Sequence, residues 1–203
     1  MYLGCARSPS LFEGLQKIDE DLAARAKARG CPDCGGPLDY GRWTRKPRGY
    51  DLPEAACRRH GLCCRREGCR RRVLPPSTLF MGRRVYLAAV VLVLVVVRQR
   101  RLEGSSARRL REMFGVSHRT LRRWVTFFET VFPRSRYWKL LRGRVPATVH
   151  DSRLPEALLA SFETRRCAPA GAVTACLKFL AGRAGAHSSR GSWPPQKMRD
   201  SVL

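Results

Sequence analysis

Phe114-Gly115-Val116-Ser117-His118-Arg119-Thr120-Leu121-Arg122-Arg123-Trp124-Val125 reads as the end of one helix, a tight turn and the start of a second helix. Leu110, Met113 and Phe114 form a short apolar helical face, Gly115 suits a left-handed turn residue, and Ser117 suits an N-cap. Leu121, Trp124, Val125 and Phe128 then recur at i, i+3, i+4 and i+7, the spacing of one buried helical side. The other side presents His118, Arg119, Arg122, Arg123 and Thr126. The pattern predicts a helix-turn-helix inside residues 83–145, with a cationic outer face on its second helix.

Charge runs along helices are ordinarily solvated faces laced by i,i+4 pairs. From Leu110 to Pro133 the carboxylates are Glu112 and Glu129 alone, so pairing does not account for the arginines. The whole chain of 203 residues carries 40 Lys and Arg against 16 Asp and Glu, a net charge of +24. Residues 83–145 hold 16 of the basic residues and 3 of the acidic ones. A compact chain with this self-repulsion points to a polyanionic partner, and the planar fork of arginine matches phosphates and guanine edges. Double-stranded DNA is therefore the expected partner. Ser117, His118, Arg119, Arg122, Arg123 and Thr126 are the expected contact set, with His118, Arg119 and Arg122 the best placed for base edges.

Upstream of this pair lies Val85 to Val97, thirteen residues without a charge, ten of them Val or Leu, between Arg83, Arg84 and Arg98. A membrane span needs about 20 apolar residues, so no membrane partner is expected. The run reads as the central helix of the same domain, although its β-branched residues suit a strand equally well on propensity.

Residues 31–82 have a different texture, rich in Cys, Gly, Pro and Arg and too poor in carbon to bury a core of their own. Cys31-Pro32-Asp33-Cys34-Gly35-Gly36 is a C-x2-C-G turn, and Cys64 and Cys69 are the preferred second pair because Gly68 supplies a turn beside Cys69. Cys57, His60 and Cys63 lie close enough in sequence to compete with Cys64. Four thiolates suit Zn2+, whose binding energy replaces the missing core. Cys5, Cys167 and Cys176 have no ligand-like spacing and read as plain thiols. Residues 1–30 lack the apolar core of a secretion signal, so the expected compartment is the reducing cytoplasm, with association to the nucleoid.

Residues 1–30 read as an amphipathic helix opened by a capping box at Ser10-Leu11-Phe12-Glu13, with Leu11, Leu15, Ile18 and Leu22 on one face. It packs on the rest of the protein or, alternatively, joins two copies in a homodimer. Residues 146–181 read as a helical extension with segments near Leu154 to Phe162 and Ala172 to Ala181, and residues 182–203 as a disordered tail. The expected fold class is mostly α with a small β zinc ribbon, an α+β chain carrying a helical helix-turn-helix domain.

Cys31-Pro32-x-Cys34-Gly35, the basic knuckle Cys64-Arg65-Arg66-Glu67-Gly68-Cys69-Arg70-Arg71-Arg72 and Thr78-Leu79-Phe80 resemble the zinc ribbon at the front of bacterial insertion-sequence transposases. Phe114-Gly115-Val116-Ser117-x3-Leu121-x2-Trp124 resembles the helix-turn-helix that often follows it. The resemblance covers residues 31–130 and extends to uncharacterised bacterial proteins that carry this pair without a catalytic domain. Two positions depart from it. Four residues separate Cys64 from Cys69 where such ribbons more often have two, and Arg111 stands where alanine is usual.

A catalytic transposase domain requires separated carboxylates that hold divalent metal. Past residue 145 only Asp151, Glu156, Glu163 and Asp200 remain, with no strand pattern, so the chain reads as non-enzymatic. No phosphate loop, H-E-x-x-H or G-x-S-x-G motif is present. Two alternatives accompany the DNA reading. One is an RNA-binding module that stacks bases on Tyr40, Trp43 and Tyr50; the other is the recognition fragment of an enzyme whose catalytic domain is missing.

Overall fold

The computed structural model describes residues 2–6, 8–44, 57–81, 86–100, 104–164 and 168–181. The tail reading for 182–203, Cys167, Tyr50 and the side chain of Trp43 fall outside the described residues. The fold is mostly helical with one three-stranded antiparallel sheet, an α+β arrangement. The chain divides into two compact units. One takes the described residues up to Leu11 and from Ala89 to Cys176; the other takes those from Phe12 to Ala88 and from Leu177 onward.

Helix α1 spans Tyr2–Cys5 and α2 spans Pro9–Ala28, so the N-terminal segment holds two helices where the sequence pattern suggests one. The capping box at Ser10 is not used as a cap. Pro9 opens α2, where its missing N–H is one that no helix can pair, and the Ser10 hydroxyl shares a 2.7 Å hydrogen bond with Ser8 Oγ. Leu11, Phe12, Leu15 and Ala23 are buried along one face, and Gly30, with φ at 77°, turns the chain away from the helix end.

The sheet runs β1 (Leu38–Thr44), β2 (Arg58–Cys64) and β3 (Arg72–Val73), in that order. Leu38 pairs with Cys64 and Leu62 with Val73. Ala26, Cys31, Leu38, Leu62 and Cys64 form a small core, with Cys34, Cys69 and Val73 packed against it. Half of these residues are cysteines. A cluster this small rests on its sulfurs for more than packing.

The buried Asp19 of α2 reinforces the same unit. Its carboxylate accepts hydrogen bonds from Ser77 Oγ, from the Thr78 N–H at 2.5 Å and from Thr78 Oγ1 at 2.8 Å. Arg59, also buried, donates to the carbonyls of Pro75 at 2.7 Å and Pro76 at 3.5 Å. Burial pushes the Asp19 carboxyl above its ordinary range, while the bonds from Ser77 and Thr78 and the charge of Arg59 pull it down.

The apolar run forms helix α3, Ala88–Gln99. It starts three residues later than the run itself, because Leu87 is held extended in a bridge to Phe80. Every residue from Leu87 to Val97 is at most 4% exposed. A stretch buried on all sides must satisfy its own backbone, which a helix does internally and a strand does only with neighbours. That need outweighs the β preference of its valines. At its C-terminal end Gln99 Nε2 donates to the Leu154 carbonyl at 2.9 Å, and Arg100 pairs with Glu156 and Glu163, each at 3.1 Å.

Helices α4 (Gly104–Met113) and α5 (His118–Thr126) follow, and α5 runs into a π-helical turn at Phe127–Val131. The i+5 bond from the Phe132 N–H to the Phe127 carbonyl, 2.8 Å, gathers Phe127, Phe128 and Phe132 into one aromatic group with centroids 5.3 to 6.0 Å apart. Trp138 of α6 (Arg136–Arg142) joins it at 5.4 Å, and its indole N–H donates to Asp151 at 2.9 Å. Pairs of this kind add about 0.5–1.5 kcal/mol each beyond the area they bury. Helices α7 (Glu156–Ala160) and α8 (Pro169–Ala181) occupy the two segments expected to be helical after residue 146.

Candidate metal centre and nucleic-acid interface

Two loops build the thiol cluster. In the first, the Cys31 N–H donates to the Gly36 carbonyl and the Gly35 N–H to the Cys31 carbonyl, both at 2.8 Å, which closes the loop on itself. Gly30 precedes it, and a Cβ there would stand 2.9 Å from the Gly35 oxygen, so only glycine fits. In the second, Cys64 ends β2 and its N–H bonds the Arg71 carbonyl at 2.8 Å, while the Cys69 N–H bonds the Arg66 carbonyl at 3.2 Å. The Arg65 N–H donates to the Pro37 carbonyl at 2.9 Å and ties the two loops together.

The sulfurs of Cys31, Cys34, Cys64 and Cys69 all lie within 4.8 Å of one another. Cys31 and Cys69 are 3.7 Å apart, Cys34 and Cys64 3.5 Å. Metal–sulfur bonds of about 2.3 Å in a tetrahedron set sulfur–sulfur edges of about 3.8 Å. Among the described residues this is the group of Cys, His, Asp and Glu side chains able to hold a metal ion.

The backbone is arranged for thiolates. The N–H groups of Gly36, Arg66 and Arg71, each two residues beyond a cysteine, donate to Cys34, Cys64 and Cys69. The Gly36 N–H, followed by the neighbouring Cys69 thiol, lowers Cys34 to about 7. Burial, aided by the adjacent thiols, pushes Cys64 up to about 12. One sulfur gives up its proton readily and the next resists, because the first has a backbone donor and the second is held protonated by burial and by the thiols beside it. A cation among four sulfurs removes that conflict, so the donor set fits a soft divalent metal.

Cys57, His60 and Cys63 are outside the cluster. Strand alternation separates Cys63 from Cys64: the Cys63 thiol points to the Arg70 carbonyl at 3.6 Å and the Cys64 carbonyl at 3.8 Å. Cys5 and Cys176 are buried thiols and are not members of the group. The sequence pattern did not single out Gly36. A Cβ at this position would lie 3.3 Å from Cys34 Sγ, Cys64 Sγ and Arg66 Cβ, and the second glycine of the C-x2-C-G-G stretch is the signal for it.

In the other unit, α4 ends with two reciprocal bonds: the Val116 N–H to the Arg111 carbonyl at 2.8 Å and the Gly115 N–H to the Glu112 carbonyl at 3.2 Å. Gly115 has φ at 56°, and together these make a Schellman motif. Ser117 caps α5. Its backbone is extended, φ −66° and ψ 153°, and its Oγ accepts the Thr120 N–H at 3.1 Å. Leu110, Phe114, Val116 and Leu121 are buried, and Trp124 and Val125 half-buried.

Ser117, His118, Arg119, Arg122, Arg123 and Thr126 are all exposed. Among the described residues no carboxylate pairs with His118, Arg119 or Arg122. Glu112 pairs with Arg108 at 2.9 Å, Asp151 with Arg142 at 3.3 Å, and Glu156 with Arg100 and Arg153. A cleft of about 150 Å³ runs beside α5, lined by Arg98, His118, Leu121, Arg122 and Val125.

Tyr40 is 48% exposed, and Lys27 Nζ sits 4.7 Å from its ring centroid. No described helix is long and apolar enough to cross a membrane. No protein-family model, curated protein or solved structure matches this chain.

Proposed function

We propose that this chain is a zinc-dependent, non-catalytic protein that binds double-stranded DNA, related to the recognition region of a transposase and acting in the cytoplasm at the nucleoid. The observation that carries the reading is the outer face of α5, where His118, Arg119 and Arg122 are exposed on a capped helix without carboxylate partners among the described residues. Solvation alone gives no reason to concentrate cations of one sign there. Read as a helix-turn-helix, α4 and α5 offer a helix of major-groove size whose first turn brings His118 and Arg119 to base edges, with Arg122, Arg123 and Thr126 one turn further along.

In this reading the four-cysteine group is a zinc ribbon. Zinc bound there supplies folding free energy to a unit whose own core is small. The RNA alternative is supported by the exposed ring of Tyr40, but Lys27 already lies over that ring.

The test is a titration of zinc-loaded full-length protein against duplex DNA and single-stranded RNA over a range of salt. The expected result is preference for the duplex, with affinity falling by close to one log unit per log of salt for each phosphate neutralised. Preference for single strands selects the RNA alternative. Absence of binding to either nucleic acid ends both.

A further inference from the structure

The cleft beside α5 is a composite of two helices. His118, Leu121, Arg122 and Val125 recur at i, i+3, i+4 and i+7, which makes them one stripe of α5, and Arg98 comes from the last turn of α3. The surface inside the cleft is apolar almost throughout, and Arg98, His118 and Arg122, which line it beside Leu121 and Val125, are exposed side chains. Among the described residues none of these three groups has an ion-pair partner. Cations of one sign gathered around one cleft without a carboxylate repel one another, and an anion brought to its edge relieves that repulsion.

The volume limits the occupant. Pockets for whole organic ligands run to about 300–1,000 Å³, whereas this cleft is about 150 Å³, room for a group the size of one sugar ring. An apolar interior with cations beside it also suits a sugar ring carried with a phosphate better than a bare, fully hydrated ion.

We infer that this cleft seats one sugar-phosphate of the DNA backbone, and that Arg98 is a phosphate-holding residue of the interface. The inference rests on the duplex-binding reading above and extends the contact surface from α5 onto α3. It ties the end of α3 and the first turns of α5 to one position on the backbone, because Arg98 and Arg122 line the same cleft.

The experiment compares wild type, Arg98→Ala and Arg98→Lys, all zinc-loaded and full length, on a selected duplex and a scrambled one over a range of salt. Arg98→Ala is expected to weaken both duplexes by the same factor and to reduce the salt slope by about one. Arg98→Lys is expected to restore the slope, since a point charge suffices for a phosphate. Arg98 is exposed at a helix end, so the variants keep the fold, which circular dichroism checks. An unchanged slope in Arg98→Ala, with wild type binding duplex, overturns the cleft assignment and leaves the DNA reading standing. Wild type that fails to bind duplex overturns both. Saturable binding of inorganic phosphate without DNA, lost in Arg98→Ala, makes the cleft a small-anion pocket and also overturns the inference.

Discussion

The Cβ that Gly36 lacks would stand 3.3 Å from the sulfur of Cys64, one of the four thiols of the cluster. Cys34 Sγ and Arg66 Cβ are equally close, so the crowding cannot be relieved in one direction without disturbing the other sulfur. Gly36→Ala should therefore loosen the metal without changing any ligand. Gly35 is the control: its φ of 68° makes alanine strained, but nothing lies within 4 Å of the added carbon. In a chelator competition Gly36→Ala should release metal at lower chelator concentration than Gly35→Ala. The reverse order would mean that the second glycine is not packed against the sulfurs.

Cysteine substitutions separate ligands from bystanders. Cys31→Ser and Cys69→Ser should each abolish stoichiometric zinc and unfold the ribbon, because the small core beneath it does not stand alone. Cys63→Ser should keep one zinc per chain, since its thiol faces backbone carbonyls on the other side of β2. Metal analysis of purified protein with circular dichroism reads both. Full zinc in Cys69→Ser would break the four-cysteine assignment.

The Ser117 cap sets where α5 begins and hence where its first cations point. Ser117→Ala should cost about 1 kcal/mol in denaturant unfolding, because the Thr120 N–H loses its acceptor. Ser117→Asp should recover most of that loss. Equal stability of all three proteins would show that the cap contributes nothing.

The C-x2-C-G pattern and the amphipathic spacing of α5 could be read from the sequence because each is local: two loop sulfurs, or one helical face, are set by residues a few positions apart. The thiol cluster joins Cys31 and Cys34 to Cys64 and Cys69 across about thirty residues, and spacing alone left Cys63 and Cys64 as rivals. Pleat alternation decides between them, and it acts only once β2 is paired with β1. The start of α3 was misplaced for a similar reason. Leu87 is held by Phe80, and no pattern within 85–97 records that partner. Arg98 is legible only as the charged edge of an apolar run, because the cleft it lines is completed by α5, which begins about twenty residues further along the sequence.

Asp19 offers a test of the α2 attachment. Asp19→Ala leaves the Thr78 N–H and the Ser77 hydroxyl without their acceptor, while the Thr78 hydroxyl still has the Leu15 carbonyl at 3.0 Å, an expected loss of about 2–4 kcal/mol. The pH dependence has a definite sign. Burial raises the folded value above the ordinary 3.8, so the folded state holds this proton more tightly than the unfolded one. Wild type should gain stability relative to Asp19→Asn as pH falls from the raised value towards 3.8, measured by urea unfolding. Wild type that loses stability relative to Asp19→Asn on acidification would mean that Ser77, Thr78 and Arg59 outweigh desolvation.

Base reading and phosphate holding leave different signatures, and α5 should show both. Arg119 lies in the first turn of the helix, just after the Ser117 cap, where a major-groove helix meets base edges. Arg119→Ala should weaken a selected duplex far more than a scrambled one, narrowing their ratio by about tenfold, the worth of a bidentate contact. Arg122 lines the cleft with Arg98, and Arg122→Ala should instead weaken both duplexes alike and flatten the salt dependence. Selection of a preferred duplex from a random pool must come first, followed by binding of the two variants at fixed salt. Equal losses on both duplexes for Arg119→Ala would assign Arg119 to phosphates and leave His118 as the base reader of the first turn of α5.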